Sequence, residues 1–370
     1  AGTGKTVLNS STFYRTFLMA EEKDIPIDCV LMVNHDEQAH VYEEIAARLG
    51  LTKDYGEVVS KPTRFINTHS KIKPVDIAFV DEAHLLLTQG KQSYQGSNQL
   101  ADIRDRAKVT VVMFDPNQVL TTEEYLEKDE IAKLRKEAQA DGNYIVLQHQ
   151  LRVSASESTI QWLDAFTKEQ RLLPIPAKDE KNYEIKIFAT PEDLANTIKA
   201  KAGQDACALS RLVATYDWPY SATNKPEAGG YWEVKIGNWH KPWNREIERY
   251  MPARDKKGLK KLAWAEQPPT INEVGSTFTI QGFDLSYAGV ILGPSVTYRD
   301  GKIVFDSSKS HSDKATRNRT MRDNTKQNFA EELLQHEVLV LMTRGVKGLY
   351  IYACDKELRE ALEKASTQSR

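Results

Sequence analysis

The first six residues, AGTGKT, constrain this chain more than any other stretch. Glycines at Gly2 and Gly4 let backbone amides, Thr3 among them, close around phosphate oxygens; Lys5 reaches the terminal phosphates, and the Thr6 hydroxyl is suited to ligate magnesium. Such a loop works only where a helix leaves it and a parallel sheet carries carboxylates to its mouth, so it dictates architecture as well as chemistry. The following VLNSSTFYRTFLMAEE meets the first demand, with Val7, Leu8, Phe13, Phe17 and Leu18 near helical spacing. A strand and the opening glycine of the motif are expected upstream of Ala1. Without them the chain as written is expected to bind nucleotide weakly or not at all.

The second demand is met by three short, β-rich apolar runs: IDCVLMVN at 27–34, VDIAFVDEAH from Val75 and KVTVVMFD from Lys108. Helical sequence separates them, which predicts a parallel sheet covered on both faces. An acid-rich helix is expected over 121–140, leading into YIVLQHQLR, a strand ending at Arg152. Beyond it EIKIFAT, DACALSRL, STFTIQGFD, YAGVILG and VLVLMTRGVKGLYIYACD read as the strands of a second α/β unit, closed by a helix at 356–364. A chain of 370 residues, 40% hydrophobic, exceeds what one core usually holds. The expected organisation is therefore two domains, 1–143 and 144–370, with a small β-rich insertion at about 216–264 holding Trp218, Trp232, Trp239, Trp243 and Trp264. The polar, patternless stretch from Ser307 reads as a mobile surface loop.

Two acids end the FVDEAH run. Asp81 is placed to hold magnesium and Glu82 to polarise an attacking water. Alone, such a pair more often opens a helix; together with the loop at Gly2–Thr6 it reads as catalytic. His84 either links the site to moving parts or begins that helix. FDPNQ puts Asp115 and Gln118 beside the phosphate position if the strands are neighbours, although Asp-Pro-Asn is also turn chemistry. Phosphoryl transfer further needs positive charge that arrives on closure, for which Arg152 and Arg344 are the candidates.

A formal charge of −2 and an isoelectric point about 6.5 exclude a protein that is basic overall, so any polyanion must be held locally. Two basic runs qualify: Arg254, Lys256, Lys257, Lys260 and Lys261 beside Trp264, and Arg317, Arg319, Arg322 and Lys326. The plainer reading of each is a solvated face. Cys29, Cys207 and Cys354 lack the spacing of a zinc or disulfide framework. With no membrane-length apolar run and no signal peptide, the chain reads as soluble and cytoplasmic.

The order of motifs, AGTGKT, DEAH, DPNQ, QLR, TIQGFDLSYAGVI and LMTRGVKGLYIY, resembles that of superfamily 1 helicases. The likeness is closest to an uncharacterised bacterial P-loop family akin to the helicase-like part of Schlafen proteins, and it spans nearly the entire chain. It implies two RecA-like domains with parallel sheets, binding ATP and Mg2+ in the cleft between them. By that likeness Gln118 senses the terminal phosphate, Arg152 and Arg344 are arginine fingers, and Gln281, Gly282 and Asp284 couple nucleotide to nucleic acid or contact the ribose. Single-stranded DNA or RNA is the implied partner. The alternative is a nucleotide-dependent switch that controls an upstream effector domain or protein partner, in defence or stress signalling. A metabolic kinase would have no use for the second set of motifs.

Overall fold

The computed structural model describes residues 2–90, 94–147, 151–204, 209–227, 229–259 and 262–367. The chain divides into two compact units. The first comprises Gly2–Gln150 with Arg319–Lys326, and the second Leu151–Asn318 with Gln327–Arg370. Each is a mixed α/β assembly on a parallel sheet, consistent with a Rossmann or RecA-like fold.

In the first unit the elements run α1 (Lys5–Glu22), β1 (Cys29–Met32), α2 (Asp36–Arg48), α3 (Leu51–Tyr55), β2 (Val59–Ser60), α4 (Pro62–Thr68), β3 (Val75–Val80), α5 (Gln99–Arg104), β4 (Ala107–Val112) and α6 (Lys128–Ala140). The strands pair in the order β2-β1-β3-β4, all parallel, with Leu31 opposite Val59 and Phe79, and Phe79 opposite Val111. Alternate side chains enter opposite cores. Leu31 and Phe79 pack with Phe13 and Phe17 of α1 and Tyr42 of α2, whereas Val30, Met32, Ala78 and Val80 meet Phe65 of α4 and Ile103 of α5. Burial on both faces is why these runs are almost uninterruptedly apolar.

The edge of this sheet departs from expectation. Residues 144–147 form no strand and lie largely exposed, and the rest of QHQ falls outside the described residues. Among the described residues nothing pairs with the outer edge of β4, where Val109 is 53% exposed, so the YIVL run has no ladder to complete. The acidic helix starts only at Lys128; before it, 119–126 forms an irregular, mostly buried turn.

The second unit contains α7 (Glu157–Thr167), β5 (Glu184–Ile187), α8 (Pro191–Gln204), β6 (Ser210–Ala214), β7 (Glu233–Ile236), β8 (Trp239–Pro242), α9 (Glu246–Tyr250), α10 (Ala253–Leu259), β9 (Val274–Gly275), α11 (Thr277–Ile280), β10 (Leu285–Leu292), β11 (Val296–Arg299), β12 (Lys302–Phe305), α12 (Asp313–Thr316), α13 (Ala330–Met342), β15 (Gly345–Ala353) and α14 (Lys356–Thr367); between α12 and α13 the chain passes through the two-stranded β13 (Arg319–Thr320) and β14 (Lys326–Gln327), which up to Lys326 belong to the first unit. Its main sheet has the order β5-β15-β10-β6-β9, again all parallel. One face packs on α7, α13 and α14 through Trp162, Phe166, Val338, Leu341, Leu358 and Leu362. The other meets α8, and Trp218 and Trp243, with the partly buried Trp232 and Trp239, complete that core. The tryptophans of the insertion are thus core residues around the β7–β8 hairpin, not an open stacking platform.

Three expectations are corrected. VLVLM belongs to helix α13 rather than to a strand, and β15 begins only at Gly345. A helix buried on nearly all sides has no polar stripe, so its sequence imitates a buried strand. STFTI likewise is no strand: it follows the short β9 and forms helix α11 behind its cap Ser276, which with Thr279 starts the helix by reciprocal side-chain to backbone bonds. The stretch from Ser307 is not patternless: it holds α12 and the β13 and β14 strands. Arg319–Lys326 packs with the first unit, because the Arg319 guanidinium donates to the Thr122 carbonyl and Arg322 binds Glu127 and Asp129. No described helix is long and apolar enough to cross a membrane.

Buried acids set the pH response of the second unit. Glu273, just before β9, is fully buried and accepts hydrogen bonds from Trp264 Nε1 (2.8 Å) and the Ile247 amide (3.0 Å). Burial pushes its carboxyl up to about 7 despite those bonds, with neighbouring Glu246 adding to the effect. A carboxyl raised in the fold favours the folded state while protonated, a contribution present below about pH 4.5 and lost as pH rises through about 7. At roughly 1.4 kcal/mol per pH unit, Glu273 should cost up to about 3 kcal/mol by pH 8. Denaturant titrations between pH 5 and 8 should therefore show a smaller loss of stability for Glu273→Gln than for the unsubstituted protein.

Candidate nucleotide-binding site

The loop and its partners meet at the strand ends of the first unit. Gly2 (φ 72°) and Gly4 (φ 78°) sit in the left-handed region, which lets the chain turn sharply into α1. Gly4 caps that helix without any side-chain hydrogen bond, so its first amides face the loop. Lys5 Nζ lies 3.2 Å from Asp115 Oδ2, and Gln118 Nε2 donates to the same oxygen at 2.8 Å. Asp115 stands beyond β4, beside β3, because those strands are neighbours in the sheet. Burial works against its charge, and the adjacent Lys5 ammonium favours it.

Asp81 follows β3 directly, its amide bonded to the Met32 carbonyl at 2.8 Å. It is almost fully buried. Tyr42 Oη donates to its Oδ2 at 2.6 Å and Gln38 Nε2 to the same atom at 3.1 Å, while Oδ1 is buried without a hydrogen-bond partner. Burial, then the adjacent Glu82, push the carboxyl up to about 6 against the pull of Tyr42 and of Thr6, whose hydroxyl is within reach. Glu82 itself has φ 46°, a strained backbone for a non-glycine residue, and its Oε2 lies 3.4 Å from Nε2 of the buried His84. His84 starts no α-helix; it sits in a single 3-10 turn, Ala83–Leu85, tied to the end of β1 by Asn34 Nδ2 on the Leu85 carbonyl (2.7 Å).

These residues fit a magnesium-bound nucleoside triphosphate. Lys5 already holds a carboxylate oxygen, the loop glycines take the conformation that close backbone approach requires, and one buried Asp81 oxygen has no hydrogen-bond partner. Among the described residues there is no separate cluster of three or more metal-ligating side chains.

The remaining candidates assemble within the second unit. Arg152 Nε pairs with Asp284 Oδ1 at 2.5 Å, and the deeply buried Arg344, at the junction of α13 and β15, directs Nη1 to the Phe283 carbonyl at 3.3 Å. Gln281 and Gly282 (φ 86°) form the turn between α11 and β10 that carries both partners, and Gln281 Nε2 is buried without a hydrogen-bond partner. Residues separated by some 130 and 60 positions thus share one turn. The basic runs fare differently. Arg322 is bound by Glu127 and Asp129, and Arg254 is exposed beside Asp255; Lys260 and Lys261 lie outside the described residues.

Sequence reasoning missed Gln38, Tyr42 and Asn9. The first two lie one helical turn apart on α2, a spacing visible in the sequence, but their target depends on β1 and β3 being neighbours. Asn9 sits one turn beyond Lys5 and is fully buried with neither amide atom hydrogen-bonded.

A parallel α/β sheet whose strand ends meet a glycine-rich turn places the chain among Rossmann or RecA-like α/β proteins. Comparison of the sequence narrows this: residues 1–355 match the Schlafen group 3 DNA/RNA helicase domain, and the chain belongs to that family. It is also 30% identical, over 99% of its own length and 83% of the other's, to an uncharacterised protein of Saccharomyces cerevisiae.

An orphaned buried amide costs on the order of 1–3 kcal/mol, and alanine is the better helix former. Asn9→Ala should therefore leave the thermal midpoint of the nucleotide-free protein unchanged or higher, where a core asparagine with satisfied bonds would lose stability.

Proposed function

We propose that this chain is an ATP hydrolase of two RecA-like domains that works on single-stranded DNA or RNA. The observation that carries the reading is the convergence of Lys5, Thr6, Asp81, Glu82 and Gln118 at neighbouring strand ends of one sheet. Thr6 and Asp81 would hold magnesium, which when bound neutralises charge on the terminal phosphates. Lys5 exchanges the Asp115 carboxylate for phosphate, and the amides of Gly2–Lys5 orient that group. Glu82, a mostly buried carboxylate next to Asp81, takes the proton of the attacking water. Gln118 shares the Asp115 oxygen with Lys5, so movement of the lysine alters the support of the glutamine. Arg152 and Arg344 are the proposed sources of transition-state positive charge, with Gln281, Gly282 and Asp284 as the proposed coupling turn.

A second reading, a nucleotide-dependent switch controlling a partner or effector domain, draws support from the ion pairs of Arg322, which leave that basic run little charge to offer a polyanion. Strand stimulation decides between them. On the first reading, ATP turnover rises with single-stranded DNA or RNA, with an affinity that falls steeply with salt, whereas the switch shows nucleotide-dependent association and no stimulation. Glu82→Gln should lower turnover by about 100-fold or more while retaining nucleotide, the usual scale for loss of a general base, and Lys5→Ala should abolish binding. Absence of turnover by the full-length protein with every nucleic acid would overturn the hydrolase reading.

A further inference from the structure

Asp81 is held most closely through one oxygen. Its two hydrogen-bonded side-chain donors, Tyr42 Oη at 2.6 Å and Gln38 Nε2 at 3.1 Å, both address Oδ2 and are 3.5 Å from each other, while the Thr6 hydroxyl and the Glu82 amide approach the carboxyl without so close a bond. Oδ1, equally buried, has no hydrogen-bond partner. The two donors stand four residues apart on α2, the helix that leaves β1, and both are buried. That helix cannot easily drift from Asp81. Met32, at the end of β1, is opposite Val80 in the ladder and accepts the Asp81 amide, and the His35 ring caps α2 through the Gln38 amide.

We propose that Tyr42 and Gln38 are positioning residues that hold Oδ2 of Asp81 and thereby reserve Oδ1 for a divalent cation, an inference that rests on the nucleotide reading above. A carboxylate turns readily about its terminal torsion, because that sp3–sp2 rotation has only broad wells. Two donors on one oxygen remove that freedom. The unpartnered oxygen then keeps a fixed direction, on the carboxyl that the Thr6 hydroxyl also approaches. Had the pair served packing alone, the tyrosine hydroxyl could have met a backbone carbonyl, and the carboxylate would have had its donors shared between its two oxygens. Partners of this kind orient ligands that they do not replace, and their loss commonly weakens metal affinity by about 10–100-fold.

The test measures binding of the methylanthraniloyl analogue of ATP to the full chain, first with EDTA and then across a magnesium titration. Tyr42→Phe keeps the ring and removes only the donor; Gln38→Met keeps the length and removes the amide. For each, nucleotide affinity in EDTA should stay within about twofold of the unsubstituted protein while the magnesium midpoint rises about tenfold, and the double variant should rise further. An unmoved magnesium midpoint in both variants overturns the proposal. So does a parallel fall of metal-free affinity, magnesium response and thermal midpoint, which is the signature of a merely structural pair; Gln38→Met separates the cases if Tyr42→Phe folds poorly. If the unsubstituted full-length protein shows no magnesium-dependent nucleotide binding, the nucleotide reading falls and this inference with it. Magnesium-dependent binding that both variants preserve sinks the inference alone.

Discussion

The parallel pairing of β3 with β1 on one side and β4 on the other governs where the polar groups of the first unit end up. Parallel strands finish at the same edge, so the residues following Val33, Val80 and Val112 emerge together. Asp81 and Glu82 leave one strand, Asp115 and Gln118 the next, and α2 departs from the third with Tyr42 facing Asp81. Antiparallel pairing would have sent alternate strand ends to opposite edges and dispersed the same residues. The apolar interiors on both faces maintain this pairing, since slipping β3 by one residue would carry Phe79 and Ala78 into each other's cores.

Charge inside this edge is arranged in two linked groups. Lys5, Asp115 and Gln118 meet on one carboxylate oxygen, a cation and an amide together compensating a buried anion. Asp81 has no cation. Its neighbour Glu82 repels it and burial penalises it, so only hydroxyl and amide donors support its charge. A site with a satisfied anion beside its lysine and an under-compensated anion beside its threonine is electrostatically asymmetric, a cation being favoured at Asp81 and an anion at Lys5. That asymmetry is the physical content of the nucleotide reading.

The second unit stores its polar groups differently. Glu273 and Glu246 cap and brace the insertion around Trp264 and Trp232, and Asp284 and the Phe283 carbonyl tether Arg152 and Arg344. Such tethers make the turn at 281–284 a shared support for two arginines that the chain places far apart.

The glycine-rich loop, the acidic pair after an apolar strand and the alternation of strand and helix were legible in the sequence, because each rests on local chemistry: glycine for positive φ, lysine for phosphate, unbroken apolar runs for a sheet buried on both sides. The same locality misled at α13. A fully buried helix and a buried strand present the same run of valine and leucine, and only packing distinguishes them. YIVL reads as a strand but lacks a neighbour among the described residues, and β-structure is a property of pairs. Tertiary structure alone decided that Tyr42 and Gln38 hold Asp81, that Lys5 and Gln118 share Asp115, and that Arg319–Lys326 packs with residues some 200 positions earlier. Each of these depends on which strands are neighbours, and strand order is set by burial summed over the whole unit, which no local stretch of sequence contains.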